Sequence, residues 1–200
     1  MPPETPEPRI ADRDESWPVV ASQDLHSDEW VVSLRADIVT RPGHDGEFRR
    51  LVLEHPGAVV VLAVDAQERV LCLRQYRHAA QRRLVELPAG LLDHPGEEPL
   101  SVAIRELREE AEYAAEEWVH LTSAYSSPGI SAELVHFYLA RELTPAGRGD
   151  FVLEHEEADM ETFWVPVDRL VEAALAGELT DSPLLVAVLS YDALRSRDRL

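Results

Sequence analysis

The stretch GLLDHPGEEPLSVAIRELREEA, residues 90–111, changes character midway, and that change decides how the chain folds. Its first half belongs to a longer segment, PAGLLDHPGEEP (residues 88–99), whose three prolines and two glycines leave no room for a helix or strand to run through it. From Pro99 the text becomes periodic. Leu100, Ala103, Ile104, Leu107, Ala111 and then Ala114 recur at helical spacing, which predicts an amphipathic helix laid on a sheet with Pro99 in its first turn. Glu106, Glu109 and Glu110 then span an arc of about 100° beside the apolar stripe. Carboxylates that close repel one another unless a cation or an arginine offsets them, so the trio favours a hard divalent ion, with magnesium the natural candidate. Arg105, one turn before Glu109, is spaced to hold that carboxylate in an i,i+4 pair. RELREE is also how a solvated helix face reads. The preceding loop weighs for a site, because Gly90 and Gly96 bracket a segment able to bring backbone carbonyl oxygens toward the helix.

Working outward, residues 1–16 are proline-rich and acidic and are expected to be a disordered leader. Residues 17–55 read as a small β annex, with strand-like Trp30–Val39 and Glu47–Glu54 separated by the turn RPGHDG. Residues 56–200 read as one catalytic domain. GAVVVLAVD from Gly57 and RVLCLRQYR from Arg69 are central strands, followed by a short strand at Leu84–Leu87. Further strands are expected at Trp118–Ala124, Leu134–Ala140 and Glu161–Val165, then helices at Val167–Ala176 and Pro183–Arg195. The sum is an α/β fold in which helices sandwich a mixed sheet.

With 200 residues and 45% hydrophobic content the chain can bury one good core. Its 19 basic and 38 acidic residues give a formal charge of -19, which argues against a nucleic-acid binder. An anionic substrate therefore needs local arginines or a bound cation. Cys72 is the single cysteine, flanked by Leu71 and Leu73, and reads as a buried thiol in a reducing, cytoplasmic setting. No apolar run approaches the roughly 18 residues of a membrane span, and the N-terminal text is unlike a signal peptide.

The segment from Gly90 through Glu97 to Arg105-Glu-Leu-Arg-Glu-Glu110 resembles the Nudix box, with the expected seven residues between Glu97 and Arg105. It departs twice. The loop from Gly90 to Glu97 is one residue longer than usual, and Glu112 stands where the box ends in a glycine, so the helix is free to run on through AEYAAEEW. The resemblance implies a Nudix-type α/β/α sandwich that hydrolyses a diphosphate linkage. It implies magnesium, with manganese as the alternative, on Glu106, Glu110 and Glu109, assisted by the Ala89 carbonyl.

The surrounding text, RQYRHAAQRRLVELPAGLLD, SSPGISAE and HEEADMETFWVP, resembles the ADP-ribose pyrophosphatase branch of that family. That likeness implies cleavage of ADP-ribose to AMP and ribose 5-phosphate by a homodimer whose annexes swap and help clasp the adenosine. Another nucleoside diphosphate derivative such as a nucleotide sugar, or a non-catalytic nucleotide-binding regulator, are the competing readings. Arg77 and Arg50 are implied to meet the phosphates or terminal ribose, against the alternative of surface ion pairs. Glu86 either contacts substrate or pairs with Arg82 or Arg83, and Glu133 is a candidate substrate contact. Glu157, or else Glu156, is implied as the general base, against a merely solvated acidic loop; His155 beside them is a weaker candidate. Arg105 and Glu109 complete the candidate catalytic set.

Overall fold

A computed structural model describes residues 10–28, 30–94, 96–149, 151 and 159–200. In chain order the elements are β1 (Val19–His26), β2 (Ser33–Thr40), β3 (Glu47–Glu54), β4 (Ala58–Ala63), β5 (Arg69–Arg77), β6 (Arg82–Glu86), β7 (Ala89–Leu91), α1 (Pro99–Ala111), β8 (Tyr113–Tyr125), β9 (Leu134–Pro145), β10 (Glu161–Pro166), α2 (Val167–Leu175) and α3 (Ser182–Arg195).

The strand β4 organises the molecule. It reads AVVVLA, a β-branched run suited to a strand covered on both faces, and every one of its residues is buried. Because side chains alternate across a strand, Val59, Val61 and Ala63 join Val102, Ala103, Leu107 and Ala111 of α1, whereas Ala58, Val60 and Leu62 join Leu184, Ala187, Val188 and Tyr191 of α3. Two helices thus clamp one strand, which is the expected sandwich. Around β4 lies a mixed four-stranded sheet of order β7-β4-β9-β8, in which β4 runs parallel to β9 and antiparallel to β7. A separate antiparallel sheet of order β10-β5-β6 carries the fully buried Cys72, whose thiol burial pushes up to about 12.

The N-terminal sheet is a meander, β1-β2-β3, not the two-stranded hairpin the sequence suggests. The additional strand β1 is exposed along its whole length. The sheet joins the rest through backbone bonds from Leu53 N to Ile130 O (2.8 Å) and from Ala132 N to Leu53 O (3.1 Å).

Three further sequence expectations need correction. A short strand does form within the proline-glycine segment. Pro88 keeps the preceding residue extended, and Ala89–Leu91 then pair with Ala58–Val60 of β4 before Gly96, at positive φ, turns the chain. The buried face of α1 is also rotated from its predicted centre. Leu100 and Ile104 are exposed, and Val102, Ala103, Glu106, Leu107, Glu110 and Ala111 face inward. Finally, α1 does not run on through AEYAAEEW. It stops at Ala111 because Glu112 takes the left-handed conformation (φ 60, ψ 36) that the missing glycine would adopt, and its N–H closes onto Arg108 O. Residues 113–125 are consequently strand.

Candidate active site

The rotated face of α1 creates the site. Glu106 and Glu110 occupy positions that the helical period would give to core residues, and only 8% and 6% of their surfaces remain exposed. Burial of two carboxylates requires partners, because an unpaired buried charge is strongly destabilising. Arg105 supplies one set: its Nη1 lies 2.8 Å from Glu106 Oε1 and 3.0 Å from Glu109 Oε2. Burial works against the Arg105 charge, but Glu106, Glu109 and Glu97 outweigh it and raise the guanidinium above its ordinary value. The loop supplies another partner, since the Ala89 N–H donates to Glu110 Oε2 at 2.9 Å.

Gly90 explains why β7 can approach so closely. A Cβ built there would lie 2.0 Å from Glu106 Oε1, so the bare backbone is what leaves space for that carboxylate. Loop and helix form one cradle.

These groups open onto a cleft of about 640 Å³ lined by Ala89, Gly90, Arg105, Glu106, Glu109 and Glu110, together with Arg77, Glu133, Gln75, Trp30, Phe151 and Pro183. The structure therefore brings the loop, the helix glutamates, Arg77 and Glu133 to one place. Glu86 stands behind the cleft. It is 5% exposed and receives the fork of Arg77, Nε at 2.9 Å and Nη2 at 2.7 Å, rather than Arg82 or Arg83. The Glu86 carboxylate raises the Arg77 guanidinium. Glu133 accepts from Ser126 Oγ at 2.5 Å and faces His55 Nε2 at 3.6 Å. Arg50 is on exposed β3 and is absent from the cleft lining; its guanidinium lies 4.4 Å from the Phe48 ring centre. Glu156, Glu157 and His155 lie outside the described residues.

Gln75, Trp30 and Phe151 line the cleft beyond the residues expected from the sequence. Gln75 had a signal: it shares a face of β5 with Arg77 by the two-residue period and is a polar residue in a buried strand. Trp30 and Phe151 are brought in by tertiary packing.

Among the described residues no group of three or more acidic, histidine or cysteine side chains is arranged to hold a metal ion. The chemistry of the donor set nevertheless fits magnesium, a hard cation that takes oxygen ligands and keeps water or substrate oxygens in its remaining positions. The site offers oxygen ligands on an open cleft. Among the described residues Glu97 Oε2 is buried without a hydrogen-bond partner and lies 3.9 Å from Arg105 Nη2.

The α/β/α sandwich thus brings buried helix carboxylates, a closely approaching glycine and the arginines Arg77 and Arg105 to one cleft. The NUDIX domain family matches residues 54–186, and the chain belongs to that family. The ADP-ribose pyrophosphatase of Mycobacterium tuberculosis (strain ATCC 25618 / H37Rv) is 42% identical to it over 175 residues, covering 88% of this chain and 83% of that protein. The ADP-ribose pyrophosphatase of Bacillus subtilis (strain 168) is 38% identical over 157 residues, covering 78% and 80% respectively. A solved structure described as an ADP compounds hydrolase superposes with a TM-score of 0.74 at 15% identity, covering 95% of this chain and all of its own. That last likeness concerns the fold.

Proposed function

We propose that this chain is a Nudix pyrophosphohydrolase that splits ADP-ribose into AMP and ribose 5-phosphate with magnesium bound at Glu106, Glu109 and Glu110. The observation that carries this reading is the single cleft in which Arg77, Arg105, Glu133 and the three glutamates meet. The names of the two bacterial relatives support the substrate.

Magnesium held there, with the Ala89 carbonyl assisting, supplies the positive charge a diphosphate needs in a chain of formal charge -19. The chain's own groups do the rest. Arg105 and the Ala89 N–H fix the directions of the Glu106, Glu109 and Glu110 carboxylates. Glu86 holds the Nε and Nη2 atoms of Arg77, and this guanidinium, which lines the cleft, donates to a phosphate oxygen of the substrate. Glu133 and Arg50 contact the nucleoside or ribose, Arg50 from a partner's annex. Glu157, or Glu156, removes the proton from the attacking water.

The protein works in the cytoplasm as a homodimer built from an annex (residues 17–55) and a catalytic domain (residues 56–200). Exposed Trp17, Val19, Val20, Leu25, Trp30 and Val31 on and beside the N-terminal sheet supply the apolar surface that such an assembly covers. No helix among the described residues is long and apolar enough to cross a membrane.

A substrate panel with product analysis tests the proposal. AMP and ribose 5-phosphate are expected from ADP-ribose in the presence of magnesium, with turnover lowered at least about 100-fold in Glu106→Gln and in Glu110→Gln. Parental rates in both variants would remove the metal assignment, and faster turnover of a nucleotide sugar would replace the substrate.

A further inference from the structure

The end of α1 is held from outside the helix. Glu112, in the left-handed conformation without being glycine, closes its N–H onto Arg108 O, but the carbonyls of the last turn still lack partners within the helix. Residues 146–149 cross that end as a strap. Arg148 Nε donates to Glu109 O at 2.5 Å and its Nη2 donates to Glu110 O at 3.2 Å. The grip is mutual, for Arg108 Nε donates to Gly147 O at 2.7 Å and Ala146 N donates to Glu112 O at 2.7 Å. Arg148 Nη2 also lies 3.9 Å from Glu112 Oε2, within reach of the very side chain that replaces the glycine. Three residues further on, Phe151 lines both the cleft and a second cavity of about 500 Å³ between strap and helix.

We propose that Arg148 is a positioning residue, a guanidinium cap that fixes the backbone of the glutamates Glu109 and Glu110 at a helix end that closes without glycine. The inference rests on the reading of those glutamates as metal ligands. A cation at the negative end of the helix dipole is favourable, and the planar fork satisfies two carbonyls at once. Arg148 touches neither side-chain carboxylate in its role. It sets where the two Cα atoms stand, and an error of about 1 Å in such a position can lower a rate by about 100-fold.

The experiment compares the full-length parent, R148A and R148K. Magnesium binding is measured calorimetrically without substrate, and steady-state kinetics use ADP-ribose. Amide hydrogen exchange at Glu112 is followed in the absence of both. R148A is expected to weaken magnesium binding about tenfold and lower kcat by at least as much, with KM unchanged and exchange at Glu112 accelerated about tenfold. R148K, with the charge but without the fork, falls between R148A and the parent. Unchanged exchange overturns the proposal, and so does faster exchange with parental magnesium affinity. A parent that shows no magnesium binding defeats the metal reading, and with it the proposed role of Arg148. E110Q serves as the control that distinguishes the two failures: weaker magnesium binding in E110Q with parental binding in R148A sinks only the strap. Should R148A not fold, R108Q releases the strap at Gly147, and unchanged magnesium affinity in that variant also overturns the proposal.

Discussion

Helices α1 and α3 press on opposite faces of the same strand, yet they are built differently. The inward face of α3 is Leu184, Ala187, Val188 and Tyr191, and its N-terminus is closed by Asp181, whose side chain accepts from Leu184 N at 2.8 Å. The inward face of α1 gives two of its six buried positions to glutamates, its N-cap Glu98 makes no side-chain bond, and its last turn relies on a strap. One helix spends its face on packing, the other on chemistry. The lesson is that burial of a helix face does not by itself say what the face is for; the residue types on it do.

Substitutions that bear on the two helices, in them or against them, should therefore separate activity from stability. The largest effect is expected from Gly90→Ala. A methyl group there occupies the space of the Glu106 carboxylate, so kcat should fall about 100-fold while the melting temperature moves little. Parental kcat would mean that Glu106 has other room. On the α3 side, Val188→Ala removes fully buried methyl groups from the cluster under β4. It should destabilise by about 2 kcal/mol, read as a loss of about 4–8 °C in thermal unfolding, with kcat of the folded protein unchanged.

The smallest effect sharpens the contrast at the helix N-termini. Burial pushes the Asp181 carboxyl up to about 6, with Glu86 adding to the rise against the Leu184 N–H and Arg77. A carboxyl raised on folding favours the native state below its ordinary value and loses that contribution as pH climbs through about 6. Asp181→Asn keeps a capping oxygen and does not ionise. Its melting temperature should exceed the parent's at pH 8 by the equivalent of about 1 kcal/mol, after discounting for solvent screening. The advantage should shrink toward pH 4. An equal gain at both pH values would show that Asp181 does not titrate in this way.

Much of the architecture was legible. The β5 run Arg69–Arg77 and the annex strand Glu47–Glu54 have the bounds that residue pattern gives, because β-branched and leucine-rich text flanked by turn residues leaves few alternatives. The start of α1 at Pro99 was equally readable. Its orientation was not. Leu100 and Ile104 drew the apolar stripe to the wrong arc, since a glutamate at the centre of a buried face is what hydropathy counts as an outer position. β1 also escaped notice, because its text VVASQDLH faces solvent on both sides and shows no alternation of burial. In the site, local spacing revealed the glutamates and Arg105. The pairing of Arg77 with Glu86 depends on two adjacent strands, β5 and β6, and the approach of Gly90 to Glu106 depends on a strand meeting a helix. Neither can be read from one segment.

The fully enclosed Cys72 has a practical meaning. Burial holds its sulfur in the unreactive, protonated state and out of reach of electrophiles, so thiol reagents and mild oxidants should spare the intact protein. Alkylation at that sulfur then counts the moments when the sheet beneath β10 comes apart, which makes the lone thiol a native clock for opening of the core.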